Sequence, residues 1–413
     1  MEFMSMQSQC VKKTILFIEQ NRDGTVGGSH LCLLQTVRSL DKNAYKAIVM
    51  FYQDNSLVDK FKKEECQVVF FKKPEGKRID VTVKYLKVIA TLIQKLYNFF
   101  ACEIIPFFRA IYFLLKHKVD LVHLNNCPVS GGDWLLAAKL LKKKCISHDR
   151  GYAHFNQLTL FLGKRFDLVI CMAEWIVAHL SMCGLSKEKL KVLYDGVEAD
   201  ALMERILKPP QLVRDEFNVA IKAPFIGLVG NIQEWKGQVY AIRAITILRR
   251  KIPDICCLLI GGVSPSGPDK TYWDLLNEEI KKENLEKNVI MTGFRNDIPD
   301  LMNAVDIVLH TSIQPEPFGM VLLEAMSLKK PLIATDFGGP REIVENSISG
   351  ILVPPEEPFI LAEKIAQLLE NPDMRRNLGE NAYKRVKDVF NMEQFTINLN
   401  RMYAKLFNRE CIS

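Results

Sequence analysis

Two glutamates flank the start of a helix pattern in Pro315–Pro340, PEPFGMVLLEAMSLKKPLIATDFGGP. A β-branched run, Asp306–Leu309, leads into a loop holding Pro315, Pro317 and Gly319, and helical spacing of apolar residues begins near Met320. The first backbone N–H groups of a helix have no acceptor within it and carry the positive end of the peptide dipoles. Together they make an anion site, and a diphosphate suits it. Glu316, in the loop before the helix, would meet the group beyond the phosphate. Glu324, about one and a half turns inside, would reach hydroxyls on the nucleoside side. The spacing therefore points to chemistry on a phosphate-linked group with a carboxylate on each flank.

Other chemistries lack their required residues. No G-x-G-x-x-G follows the first strand pattern, and Lys236 is followed by Gly237 and Gln238, so neither a dinucleotide fingerprint nor a P-loop is present. Eleven cysteines are scattered and include no C-x-x-C pair. Cys171, Cys256 and Cys257 lie inside apolar runs, where they act as small hydrophobes, and the set fits a reducing cytoplasm. His117, His154, His179 and His310 show no ligand-like clustering, and no metal site is expected. Met1–Gln9 lacks the basic start and apolar run of a secretory leader.

The elements that position these residues alternate short β-branched runs with longer amphipathic stretches, a parallel α/β pattern. Strands are predicted at Thr14–Glu19, Tyr45–Phe51, Gln67–Phe71, Val119–Leu124, Lys144–Ser147 and Leu168–Met172. A second series covers Pro224–Gly230, Ile255–Ile260, Val289–Thr292, Asp306–Leu309 and Pro331–Thr335. Ala199–Ala223, with Pro209–Pro210, lacks a buried-strand pattern and is read as the boundary. Two Rossmann-like domains follow: 1–205, a linker at 206–223, then 224–390. Residues 391–413 form a last helix expected to return to the first domain. Ligands of doubly wound sheets bind beyond the carboxyl ends of strands, so two such sheets would face a cleft.

The block Pro315–Pro340 resembles the family-4 retaining glycosyltransferases of the GT-B fold, whose mark is two glutamates with seven residues between them. Gly227–Gly237 (GLVGNIQEWKG) is similar to the family's first strand and phosphate loop of the second domain. Asp120–His123, Asp195–Val197 and Gly350–Pro354 follow in the family's order, and Gly27–Gly28 resembles its glycine loop after strand one. The resemblance implies that Glu316 contacts the transferred sugar and Glu324 the ribose. It implies a donor site of Gly27, Gly28, Gly230, Asn231, Lys236, Phe318, Gly319, Met320 and Val321, with Lys236 as the cation on the diphosphate. His148, in ISHDRG, resembles an acceptor-side histidine, giving Glu316, His148 and Lys236 as the catalytic set. Asp149 and Arg150 would bind acceptor hydroxyls or cap the next segment.

Asn231 stands where many members carry a second cation, and Arg295, just after a strand, is the candidate substitute. No D-x-D triplet occurs, so the usual metal clip of the other main glycosyltransferase fold is absent. The expected activity is retaining, metal-independent transfer of a hexosyl or N-acetylhexosaminyl group from a UDP- or GDP-linked donor to a saccharide or lipid-linked acceptor, with no cofactor, in surface-polysaccharide or glycolipid biosynthesis. A nucleotide-sugar-binding protein weakened in catalysis is the alternative, and Asn231 is its hint.

Charge is uneven. Residues 1–200 carry 29 Lys/Arg against 20 Asp/Glu, a balance of +9, while the remainder balances to −2 within the total of +7. No nucleic-acid recognition module accompanies the basic half, so nucleic acid is not expected. Lys84–Lys118 is apolar and aromatic yet interrupted by Lys87, Lys95, Glu103, Arg109 and Lys116. It reads as a helix pair lying on an anionic membrane surface or packed against the first sheet. The expected location is cytoplasmic, peripheral on the inner face of the cell membrane.

Overall fold

A computed structural model describes residues 11–21, 26–74, 76, 84–263 and 269–408. Met1–Gln9, Cys10 and Cys411 lie outside the described residues. The chain forms two units, residues 1–193 with 396–413, and residues 194–395.

The first unit carries a seven-stranded sheet: β1 Lys13–Glu19, β2 Tyr45–Phe51, β3 Gln67–Phe70, β4 Leu121–Asn126, β5 Lys144–Asp149, β6 Leu168–Cys171 and β7 Leu190–Val192. Their order is β3-β2-β1-β4-β5-β6-β7, and every pair is parallel. Ile15, Leu16, Phe17 and Ile18 are all fully buried. Continuous apolar strands without alternation are what a sheet covered on both faces requires. The order reverses between β1 and β4, which opens a crevice at their carboxyl ends.

In the second unit β8 Phe225–Val229, β9 Cys256–Ile260, β10 Val289–Gly293, β11 Ile307–His310, β12 Leu332–Thr335 and β13 Ile351–Val353 follow the order β10-β9-β8-β11-β12-β13, again all parallel. The reversal falls between β8 and β11, the two strands that lead into the lysine loop and the first glutamate loop.

Three expectations need correction. The first concerns the linker: residues 206–223 hold the helix Pro210–Glu216 and pack into the second unit, which begins at Tyr194. Buried Arg214 fixes that helix by donating to Asp306 Oδ2 (3.0 Å) and to the Ala220 and Ala223 carbonyls. Pro209–Pro210 and the lack of a strand pattern made the segment read as a linker, but the Arg214–Asp306 pair holds it in the second unit. The second concerns the strand set: β7 and β13 are three residues each, too short for a periodic signal. In the third, Lys84–Lys116 is one uninterrupted helical run and not a pair. Helices Lys84–Phe99 and Ile105–Lys116 join through a π-turn, Phe100–Ile104. Pro106 lacks an N–H and would crowd the carbonyl one turn back, and the π-turn absorbs it.

The final helix, Met392–Leu406, belongs to the first unit from Thr396 onward. Thr396 Oγ1 donates to Ser39 Oγ (2.9 Å) and Asn400 Nδ2 to the Ser39 carbonyl (2.6 Å). Deeper in, Tyr403 Oη meets His123 Nδ1 at 2.7 Å, both side chains being buried.

Candidate active site

In the second unit the switch point gathers a cation, a carboxylate and a helix start. After β8 the chain passes Gly230 and Asn231 and makes a tight turn, Glu234–Lys236. Gly237 leaves that turn at φ +65, and a Cβ there would stand 2.2 Å from the Thr311 carbonyl oxygen, so only glycine fits. Thr311 Oγ1 donates to the Lys236 carbonyl (2.9 Å) and Ile313 N–H to the Trp235 carbonyl (2.8 Å). The lysine turn is thereby locked to the loop after β11. From it Lys236 Nζ donates to Glu316 Oε2 at 2.6 Å and lies 4.0 Å from the Trp235 ring centre.

Glu316 is buried, and its Oε2 also accepts from Ser312 Oγ (3.0 Å) and lies 3.3 Å from His310 Nε2. Burial alone would raise its carboxyl, but Lys236 and His310 outweigh burial and hold it at about 2. It is therefore ionised at any working pH. Gly338 backs this loop at φ +75, where a Cβ would sit 2.6 Å from the Glu316 carbonyl oxygen. Gly339 N–H donates to that same oxygen (2.8 Å).

Gly319 then caps the helix Met320–Ser327. Gly319, Met320 and Val321 are its opening residues, whose N–H groups no helical carbonyl can reach. Glu324 lies partly exposed on the helix, and burial of its carboxyl raises it to about 7, with Arg205 opposing.

The first unit has its own polar cluster at the carboxyl ends of β1, β4 and β5. Glu19 is fully buried and accepts from Asn125 Nδ2 at 2.6 Å and from Asn126 Nδ2. Asn125 Oδ1 in turn accepts from Arg150 Nε (2.9 Å). His148 is buried, with Nδ1 3.3 Å from Arg150 Nη2, and burial, with Arg150 adding, lowers it well below the ordinary histidine range. Neighbouring Asp149 accepts from Gly151 N–H (3.2 Å), while burial raises its carboxyl to about 7. Gly27 and Gly28 open the helix Gly28–Arg38, and a Cβ on either would meet open space. His30 turns back to cap that start, its Nδ1 3.4 Å from Gly27 N.

Residues 212–385 match the family described as glycosyl transferases group 1. An uncharacterized glycosyltransferase of Methanocaldococcus jannaschii, MJ1069, is 25% identical over 76% of this chain and 85% of its own. Alpha-D-kanosaminyltransferase of Streptomyces kanamyceticus is 34% identical over 38% of this chain and 40% of that protein. Among solved structures, Anabaena Alr3699/HepE in complex with UDP aligns with a TM-score of 0.75 at 26% identity, over 96% of this chain and 99% of that one. The same protein has been solved with UDP-glucose. Residues 212–385 are therefore a group 1 glycosyltransferase domain.

The two parallel sheets of the glycosyltransferase make a GT-B fold. Two of its expected donor residues are otherwise engaged. Arg295 donates to Asp297 through Nε (2.8 Å) and Nη2 (2.7 Å), and to Glu216 through Nη1 (2.6 Å). These carboxylates raise it further, so it ties the helix Pro210–Glu216 to the loop after β10 and is not a spare cation. Phe318 is buried against Tyr194 and Phe390, ring centres 5.8 and 5.9 Å away. Its side chain fixes the loop from behind and does not offer a surface. Asn231, by contrast, is exposed, and its carbonyl accepts from Gln238 Nε2 (2.9 Å).

Sequence reasoning passed over His310, Ser312, Glu19 and Asn125 in the glycosyltransferase. The signal available was position, because each ends or follows a strand bordering a switch point.

Proposed function

We propose that this glycosyltransferase moves a hexosyl or N-acetylhexosaminyl group from a nucleoside-diphosphate sugar to a saccharide or lipid-linked acceptor, with retention at the anomeric carbon and without a metal. The observation that carries the reading is the Lys236–Glu316 pair set before the start of the helix Met320–Ser327. The sugar C1–O bond breaks with its electron pair going to the diphosphate, and the acceptor oxygen bonds C1 from the same face as its proton departs. Charge accumulates on the leaving diphosphate, where Lys236 and the N–H groups of Gly319, Met320 and Val321 would receive it. Glu316, ionised throughout, would face the positive charge that builds on the sugar ring. Glu324 would accept from the ribose hydroxyls.

UDP and UDP-glucose bound to Anabaena Alr3699/HepE make a uridine-linked hexose the first donor to try. The acceptor class of surface polysaccharide or glycolipid precursors, and a cytoplasmic location, belong to the same reading. The test offers UDP- and GDP-linked sugars with simple saccharide acceptors in excess chelator, and reads the anomeric configuration of the product by NMR. Transfer with retention in chelator is expected. Inversion, or activity restored only by added magnesium or manganese, would overturn the reading.

A further inference from the structure

The helical run Ile89–Lys116 is 28 residues long and apolar enough to cross a bilayer by length and composition, yet only 22% of its most apolar stretch is buried. Its outer face repeats at three- and four-residue intervals. Leu92, Leu96, Phe100, Phe108, Tyr112 and Leu115 are each more than half exposed. Of the run's described side chains, Ala90, Ala101, Pro106, Ala110 and Leu114 are buried, the last four at four- and five-residue intervals. The protein therefore holds one face of the run from Ala101 to Leu114, while between Ala90 and Ala101 no side chain is buried. Phe113 packs edge-on against buried Trp134 (5.9 Å), and Arg109 donates to the Lys72 carbonyl (2.9 Å) and covers the Phe71 ring.

A run secured through its second half cannot cross a membrane without stripping that face, and Lys95, Glu103 and Arg109 would enter the hydrocarbon with it. Lying flat needs neither. At 1.5 Å per residue the exposed stripe from Leu92 to Leu115 is about 35 Å long, far beyond the isolated apolar side chains usual on a soluble surface. Its aromatics suit the level between headgroups and acyl chains.

We infer that this face seats the first unit on an anionic phospholipid bilayer, the helix parallel to the surface. Charge selects that occupant. Exposed Lys95, Lys116 and Lys118 stand beside the stripe against a lone exposed carboxylate, Glu103, and the first 200 residues balance to +9. Such a surface attracts phosphatidylglycerol or phosphatidylserine and gains little from a neutral headgroup. The inference does not rest on the donor assignment.

Vesicle flotation with the full chain tests it. Vesicles containing phosphatidylglycerol should carry the protein, at least tenfold better than phosphatidylcholine alone, and raised salt should release it. Phe108→Ser with Tyr112→Ser, and separately Lys95→Glu with Lys116→Glu, should each reduce binding about tenfold or more while circular dichroism and transfer to a water-soluble acceptor stay unchanged. Equal binding to neutral vesicles, or binding that survives alkaline carbonate extraction, would overturn the inference in favour of insertion. Absence of vesicle binding, with a dimer in sedimentation that Phe108→Ser and Tyr112→Ser dissociate, would assign the face to a second copy.

Discussion

Lys236 Nζ and Glu316 Oε2 stand 2.6 Å apart, although 80 residues separate them and they come from loops after different strands, β8 and β11. The cation proposed for the leaving diphosphate is thus already held by the carboxylate proposed for the sugar. A diphosphate must share or draw off that ammonium. Glu316→Gln should therefore separate binding from chemistry. Turnover is expected to fall on the order of 10²–10³-fold, while affinity for the nucleoside diphosphate holds or rises by up to about tenfold as Lys236 is released. Calorimetry and product assays on the same preparation check both. Lost turnover with equally lost diphosphate affinity would place Glu316 in binding alone.

Removing the other partner has the opposite signature. Lys236→Ala leaves a buried carboxylate without its cation, a loss of roughly 3–5 kcal/mol in comparable pairs. The pH dependence also weakens. In the native chain Glu316 is depressed to about 2 from 4.5, so its contribution is complete above about 4.5 and lost as pH falls toward 2. With Lys236 gone, His310 is left to oppose burial, and the carboxyl moves up toward its ordinary value. The stability lost as pH falls toward 2 then shrinks. Denaturant titrations of both proteins between pH 3 and 7 should show a flatter slope for the variant.

Glu324 has the opposite pH dependence to Glu316. Its carboxyl is raised to about 7 from 4.5, so its stabilising contribution is present below about 4.5 and lost as pH climbs through 7. Glu324→Gln should melt higher than the native chain at pH 8 and similarly at pH 5. Nucleotide affinity of the native chain should rise across the same interval as the carboxylate forms, and the variant should lack that rise. Melting curves and binding at the two pH values decide it.

Much of this was legible in the sequence, for reasons tied to particular residues. Lys236, Glu316, Glu324 and the helix start at Met320 sit in short loops between long apolar strands, and spacing there nearly determines position. Arg295 and Phe318 misled because a residue type shows what a side chain can do and not what else is near. Asp297 is two residues from Arg295, but Glu216 is 79 away, and no local pattern links them. Phe318 entered the donor set by resemblance, but its ring packs on Tyr194 and Phe390, which lie far from it in sequence. The same holds for His310. Its partners Ser312 and Glu316 are near in sequence, but only the bend after β11 points all three inward.

His123 and Tyr403 supply a structural prediction. They are 280 residues apart, and Tyr403 Oη is the neighbour within hydrogen-bond reach of His123 Nδ1. Tyr403→Phe keeps the ring and removes that contact inside the core. The expected cost is about 1–3 kcal/mol, read as a lower urea midpoint with an unchanged slope. Diphosphate affinity should not move, since Lys236 and Glu316 belong to the other unit.

That pairing also bears on the order in which the molecule is made. Residues 194–395 lie between the two stretches of the first unit, which includes residues 396–408. Until Thr396, Asn400 and Tyr403 have emerged from the ribosome, Ser39 and His123 wait for partners and the apolar surface under the last helix stays open. The part of the protein translated first thus cannot finish folding until residues 396–408 are free to dock. A chain cut short of Tyr403 would offer chaperones that unfinished surface.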